Sequence, residues 1–449
     1  MKAAGGFSED TRQAVHIAVG GLAILLPLIP WWQSALLASL AVCFNLFALQ
    51  NVLGRRLFRP GERIGRLTSG IVLYPLTIIG LLLLFPDRLD IVAGAWGILA
   101  AGDGMATLLG RRVPILPIPW NPRKSLGGSL SLAIFGGMAA VALTWWCKGT
   151  VVPPAYPWFF IVAPGVAAIA AAAVETIPIS LDDNITVAAS AAGVMWVLSL
   201  VSNDLVAQVV STPGPALLLA AGANLVVAWA GYFARTVTPS GMIVGGILGT
   251  VIFVFAGAAG WALLLLCFAI AVVTSRIGLT RKDALGIAEE RSGRRGGGNA
   301  FANTGVAAIA AAMSALTYAQ GDARLAFVTA LIAGASDTVA SEIGKAWGRR
   351  TFLLTTARRV APGTSGAISL EGTLAGVLSA LGLAATACAV GLIGWPELVY
   401  VVVGATVGAV VESALAATLE HRGVLNNDVL NFINTGVAAL VAVELWQLR

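Results

Sequence analysis

The sequence predicts an all-α, polytopic integral membrane protein of about 14–15 transmembrane helices, built as two related halves with parallel orientation. Three observations predict it. Only 11% of the 449 residues are charged and 58% are hydrophobic, against about 25% charged in an ordinary soluble domain. Apolar runs of roughly 20 residues, the length that crosses a hydrocarbon core of about 30 Å, recur from end to end. The charged motifs also return in the same order in the second part of the chain.

Taken in order, spans are expected near residues 14–30, 33–50, 68–85, 90–109, 127–147, 158–177, 185–203 and 214–234. They continue near 241–257, 259–275, 299–318, 325–344, 370–391, 398–418 and 429–447. Gly and Pro interrupt several of them, so some are expected to be broken or re-entrant, which a bilayer tolerates only where protein or a wet cavity satisfies the freed backbone. The first span is rich in proline and lacks a small-residue cleavage site, so it reads as retained rather than as a removable signal peptide. Four cysteines, Cys43, Cys147, Cys267 and Cys388, stand apart within apolar segments. Without C-x-x-C spacing they indicate neither a disulfide framework nor a zinc site.

The net charge is +6, and its placement is informative. Basic clusters follow the second span (Arg55, Arg56, Arg59, Arg63, Arg66), the fourth (Arg111, Arg112, Arg123, Lys124), the tenth (Arg276 to Arg295) and the twelfth (Lys345 to Arg359). All are even-numbered, so the positive-inside rule places the N-terminus and these loops in the cytoplasm, the membrane being the plasma membrane if the source is prokaryotic. The short basic loops suit topology and anionic lipid; the bilayer is the expected partner, no nucleic acid is, and an oligomer is left open. Acids share the same side: Glu175, Asp182 and Asp183 follow the sixth span, and Glu412, Glu420 and Asp428 surround the end of the fourteenth. An acid within a span costs about 2.5–3.5 kcal/mol at its centre on insertion scales, and so asks for a function.

The halves align by motif. "GDGMATLLGRR", "NPRKSLGGSLS" and "VETIPISLDDNIT" in the first correspond to "ASDTVASEIGKAWGRR", "TSGAISLEGTLAG" and "VESALAATLEHRGVLNNDVLN" in the second. Asp103 pairs with Asp337 and Glu175 with Glu412 at nearly equal spacing. Boundary acids, a basic Gly/Ser loop and a second acidic cluster suit a magnesium nucleotide, because Mg²⁺ takes one or two carboxylates plus phosphate oxygens. Asp103, Glu175, Asp182 and Asp183 are the candidate ligands, with Asn184 as a neutral oxygen. Arg111, Arg112, Arg123 and Lys124 are candidate phosphate ligands. Gly127, Gly128 and Ser129 would let backbone N–H groups approach phosphate. Arg12 and His16 share a helical face at the start of the first span. Neither G-x-x-x-x-G-K-[ST] nor the kinase glycine loop occurs, so familiar ATP folds are unsupported.

Residues 12–200 resemble the dolichol kinase and phytol kinase family, through "RQAVHIAVG", "GDGMATLLGRR", "NPRKSLGGSLS" and "VETIPISLDDNIT" in the family's order. The second and third pieces are also similar to phosphatidate cytidylyltransferases. Residues from about 210 onward resemble the phytyl-phosphate kinases of vitamin E salvage, through "RKDALGIAEERSGRRGGGNAFANTG", "SDTVASEIGK", "TTARRVAPGTSGAISLEGTLAG" and "LNNDVLN". That resemblance implies that Asp337, Glu342, Lys345, Gly363, Thr364, Ser365, Gly366, Glu371, Glu412, Asn426, Asn427, Asp428 and Asn431 line a second site; because its acceptor would already be a phosphate, added positive charge is expected there, with Arg349, Arg350, Arg358 and Arg359 as the candidates. It also implies a division into a prenol kinase-like domain, residues 1–205, and a prenyl-phosphate kinase-like domain, residues 206–449. The expected activity is two phosphorylations, of an isoprenoid alcohol and then of its monophosphate, using Mg²⁺ and CTP, the second donor being left open. Asp103 or Asp183 is the candidate base in the first half; Asp337 and Glu342 are the catalytic candidates in the second. A cytidylyltransferase and a secondary transporter are the alternatives.

Overall fold

A computed structural model of the chain describes residues 7–53, 57–58, 69–113, 115–152, 155–211, 214–287 and 293–449, and every expected span meets a helix. Arg55, Arg56, Arg59, Arg63, Arg66 and Arg291 lie outside the described residues. The chain divides into two compact units, Met1–Leu200 and Val201–Arg449, and each has a hydrophobic core of its own.

In the first unit, Ser8 caps α1 (Glu9–Gly20) by accepting from the Thr11 amide, and the chain tightens into a 3-10 turn, Gly21–Leu25, before Pro27. Then come α2 (Trp31–Ala48) and α3 (Gly70–Leu84), and after them α4 (Leu89–Arg112). A two-stranded ribbon, β1 (Pro117–Ile118) and β2 (Asn121–Ser125), leads into α5 (Leu126–Thr150). The unit ends with α6 (Phe159–Glu175) and α7 (Asp183–Ser199). Helix α4 is the centre, with every residue from Leu89 to Gly97 buried. It gets there on small residues: a Cβ added to Gly97 would stand 3.0 Å from the Ala140 amide, and one on Gly102 3.2 Å from the Gly136 Cα. Such close backbone approach is what drives helix association in lipid.

The second unit begins with α8 (Asn203–Ser211) and α9 (Gly214–Phe233). Next comes α10 (Pro239–Arg276), a 38-residue segment broken at Gly257, which has φ 67° and ψ −172°. The break is a reversal. Trp261 Nε1 donates to Asn224 Oδ1 at 3.0 Å, and a Cβ on Gly249 would strike the same asparagine. In an unbroken helix residues 249 and 261 would be about 18 Å apart. Two antiparallel arms therefore replace one rod, and only glycine takes this φ without strain. Helices α11 (Leu279–Ala284), α12 (Gly297–Leu316) and α13 (Gln320–Trp347) follow, then a ribbon of β3 (Thr351–Leu353) and β4 (Ala367–Ser369). Last are α14 (Leu370–Ala389), α15 (Leu398–Leu415) with a π turn at Ala416–Glu420, and α16 (Asn427–Gln447). Helix α13 plays the part of α4; each is 72% buried over its most apolar window, more than any other span among the described residues.

The fold is an all-α polytopic membrane bundle. Among the described residues nine helices are long and apolar enough to cross a membrane, fewer than the 14–15 expected. The α10 hairpin counts once there, and Gly70–Leu84, Phe159–Glu175 and Leu217–Phe233 fall short in length.

One local device occurs in both units. An acid-bearing central helix runs into an antiparallel ribbon whose last residue is a serine that caps the next helix. Ser125 Oγ accepts from the Gly128 amide at 3.2 Å, and Ser369 Oγ from the Gly372 amide at 3.1 Å. Gly110 and Gly344, each two turns after an aspartate, face those caps: an added Cβ would lie 3.4 and 3.0 Å from the serine oxygens.

Candidate active site

In the first unit, Asp103, Glu175 and Asp183 bring one carboxylate oxygen each to within 4.8 Å of one another. Three elements supply them. Asp103 ends a π turn, Ile98–Asp103, inside α4; such single-turn bulges recur at functional sites because they re-aim one side chain. Glu175 is the last residue of α6 and Asp183 the first of α7. The helix dipole favours an acid at an N-terminus and disfavours one at a C-terminus, so Glu175, buried at 6% exposure, needs a cation. Lys124 provides it, with Nζ 2.6 Å from Glu175 Oε1 and 2.9 Å from Asp183 Oδ2. Burial alone would lower the Lys124 ammonium, but the two carboxylates outweigh it and hold the group above its ordinary range. His16 Nε2 lies 3.8 Å from Asp103 Oδ2 and 3.1 Å from the Leu99 carbonyl. Its ring meets Tyr74 edge-on at 4.5 Å, and Tyr74 Oη accepts from Trp96 Nε1 at 2.7 Å.

Other expected residues stand elsewhere. Asp182 is the cap of α7, its Oδ1 accepting from the Asn184 amide at 3.0 Å and from Asn184 Nδ2 at 2.5 Å; it is not in the trio, because the N-cap residue turns back on its own helix. Asn184 also donates to the Gly70 carbonyl at 3.3 Å, while its Oδ1 is buried without a hydrogen bond among the described residues. Arg12 Nη2 and Asp182 Oδ2 each lie 3.1 Å from where a Gly70 Cβ would stand, so the missing side chain makes room for them. Arg111 and Arg112 turn to Asp10, at 3.9 and 2.8 Å, each 59% exposed. Arg123 is exposed. The amides of Gly127 and Gly128 are already donated, to the Ile115 carbonyl and to Ser125 Oγ. These glycines serve packing rather than offering free N–H groups, and an added Cβ on Gly127 would stand 2.8 Å from the Val113 carbonyl. Ser129 Oγ is buried with no hydrogen bond among the described residues.

The second unit arranges its acids differently. Among the described residues the trio of the first unit is the one group of three acidic, histidine or cysteine side chains so close together. Asp337, Glu371, Glu412 and Asp428 do not form a second such group among the described residues. Glu412 Oε2, Glu371 Oε2 and both side-chain polar atoms of Asn434 are buried without hydrogen bonds among the described residues. Buried polar groups are normally satisfied, and Glu412 has Asn434 and the Asp337 carboxylate as neighbours. Glu342, expected as catalytic, is instead clamped by Lys282 at 2.5 Å and Lys345 at 2.8 Å, and is 1% exposed. Asn431 is buried, Asn427 is exposed, and Asn426 caps α16 through the Val429 amide. Asp428 lies against Gly298 at the start of α12.

In the loop before β4, Gly363 and Gly366 have φ of 84° and 74°. Thr364 Oγ1 donates to the Ala361 carbonyl, and Ser365 Oγ reaches the Ala416 carbonyl and Glu420 of the π turn. Arg349, Arg350, Arg358 and Arg359 are exposed, Arg359 over the Phe352 ring. Sequence reasoning missed Lys282 and Asn434. Lys282 read as one more charge in a basic loop, and an asparagine in an apolar helix carries no charge to mark it.

The sequence profile of the family described as integral membrane protein DUF92 matches residues 222–439. An uncharacterized membrane protein of Synechocystis is 38% identical over 216 residues, 46% of this chain and 82% of that protein. The chain belongs to the DUF92 family of integral membrane proteins. Protein VTE6 of Arabidopsis thaliana is 38% identical over 217 residues, 46% of this DUF92 chain and 65% of its own length. Farnesol kinase of Arabidopsis thaliana is 31% identical over 201 residues, 40% of this chain and 62% of that enzyme. The chain thus spans just under two-thirds of both plant relatives. No solved structure matches it.

Proposed function

We propose that this protein is a bifunctional isoprenoid salvage kinase. Residues 1–205 phosphorylate an isoprenoid alcohol such as phytol, geranylgeraniol or farnesol, and residues 206–449 phosphorylate the resulting monophosphate. CTP is the donor in the first half, the nucleotide of the second is left open, and both sites face the cytoplasm. The observation that carries the reading is the trio of Asp103, Glu175 and Asp183, two of them bridged by Lys124, joined by the likeness to plant proteins named farnesol kinase and phytol kinase.

An all-oxygen donor set with an orphaned amide oxygen nearby, Asn184 Oδ1, fits a hard divalent cation. Asp103, Glu175 and Asp183 would hold Mg²⁺, which supplies charge neutralisation of the nucleotide phosphates when bound. Asp183 is the most open of the three, 41% exposed against 15% for Asp103 and 6% for Glu175, and faces the entering nucleotide. Asp103, beside His16 and Tyr74, faces the alcohol and takes its proton as the oxygen bonds to the γ-phosphorus and CDP leaves. Lys124 fixes the spacing of Glu175 and Asp183, because phosphoryl transfer is mostly positioning and electrostatics.

The test is purified protein with farnesol, geranylgeraniol or phytol and CTP labelled at either the α or the γ phosphorus. The γ label is expected on lipid monophosphate, then on diphosphate. The α label on lipid would make the protein a cytidylyltransferase, and no phosphorylated lipid in any arm would overturn the reading.

A further inference from the structure

Helix α9 ends in a cluster of aromatic and basic side chains that neither proposed phosphorylation uses. Leu218, Leu225, Trp229 and Phe233 recur at helical spacing and are 75%, 60%, 46% and 72% exposed, so one stripe of α9 is apolar along its length. In a bilayer such a stripe faces lipid. Trp229 stacks on Phe233 with ring centroids 5.5 Å apart, and Tyr232 meets Phe233 edge-on at 6.0 Å. Aromatic rings gather where a membrane meets water. Phe233 belongs both to this stripe and to a recess of about 700 Å³, which it lines with Tyr232, Arg235, Arg276 and Arg294. That lining includes no carboxylate among the described residues.

Two of the arginines also serve the fold. Arg276 Nη2 donates to the Ala234 carbonyl at 3.3 Å and Arg294 Nη2 to the Val237 carbonyl at 3.4 Å. A cation at the C-terminus of α9 suits the helix dipole, but each of these bonds uses one of five guanidinium donors. The buried Nε of Arg294 has no acceptor among the described residues, a state that proteins normally avoid. Arg235 is the sharper case. Its amide donates to the Tyr232 carbonyl at 3.0 Å, and the Thr236 amide to the Gly231 carbonyl at 2.9 Å, the paired bonds of a helix stop whose left-handed residue is usually glycine. Arg235 takes that place with φ 55°. Backbone strain is thus tolerated where it sets a third guanidinium at the recess.

We propose that this recess binds the phosphate head of an anionic phospholipid, whose acyl chains lie along the exposed stripe of α9. Guanidinium forks match phosphate oxygens, and basic pockets between membrane helices select anionic head groups. A soluble phosphate would meet the same arginines, but the apolar stripe running into the recess favours a lipid.

The experiment is native mass spectrometry of the full chain released from mixed micelles of phosphatidylglycerol and phosphatidylcholine, counting the lipid that stays on the protein. One phosphatidylglycerol is expected to be retained in preference to phosphatidylcholine. A basic side chain beside an anionic head contributes about fivefold, so Arg235→Gly, Arg276→Gln and Arg294→Gln are each expected to weaken retention by that factor. Arg281→Gln removes an exposed charge of α11 outside the recess and is expected to change nothing. Arg235→Gly also separates binding from folding, because glycine relieves the left-handed torsion: its melting temperature in phosphatidylcholine should not fall. Equal retention of the two lipids, or unchanged retention in all three recess variants, would overturn the proposal. So would an equal loss in Arg281→Gln, marking diffuse surface charge, or displacement of the lipid by inorganic phosphate, marking an aqueous site. Displacement by farnesyl monophosphate more readily than by phosphatidylglycerol would also overturn it, marking a substrate seat.

Discussion

Lys124 is the residue on which the first site turns, since Glu175 and Asp183 would repel each other and leave one acid buried without it. Replacing it by methionine is expected to lower stability by about 1–3 kcal/mol and to reduce alcohol phosphorylation at least a hundredfold, read from melting curves and labelled product. Because its carboxylate partners raise the Lys124 pKa above the unfolded value, near 10.4, the pair's contribution is complete below that pH and fades as pH rises further. Melting temperature should therefore show a fall above about pH 10.4 in wild type that Lys124→Arg lacks, arginine keeping its charge. The acids of this site were legible as charges at span boundaries, where they are costly. Which of Asp182 and Asp183 enters the trio was not, because a shift of one position at a helix start separates a cap from a functional side chain.

At the scale of elements, the π turn that presents Asp103 is wedged in place by α5, with Gly102 and Gly136 in near contact. A Cβ on Gly136 would stand 3.1 Å from the Gly102 Cα and 3.3 Å from that of Ile98, backbone that cannot step aside. Gly136→Leu is expected to cost about 1–3 kcal/mol and to abolish alcohol phosphorylation while leaving phosphorylation of added monophosphate intact; comparison of the two acceptors checks it. Helix positions were legible because apolar runs of bilayer length leave few alternatives. The π turns were not, since one extra residue in a helical ladder barely disturbs periodicity. The ribbons were equally hidden, because "NPRKSLGGS" carries turn residues and no alternating pattern.

At the scale of the molecule, each unit has its own core and its own acid-bearing central helix. Asp103→Asn should then stop only alcohol phosphorylation and Asp337→Asn only diphosphate formation. Mixing the two purified variants with farnesol and nucleotide should restore diphosphate, and failure to do so would mean that intermediate cannot leave its unit. The membrane class of the fold was legible from composition alone. The asymmetry between the sites was not, because Asp337 and Glu412 follow the same motif order as Asp103 and Glu175, and only the structure shows that no third acid joins them as closely among the described residues.

Gly257 carries a consequence for compartments. As one rod, Pro239–Arg276 would be about 57 Å long, nearly twice the hydrocarbon thickness, and would deliver α11 to the opposite face from where α10 began. Folded back at Gly257, it returns α11, which carries Lys282, to the side it left, together with Arg294 and Arg295 just before α12. One backbone torsion thus decides, within the second unit, which end of the bundle receives the segment that follows it.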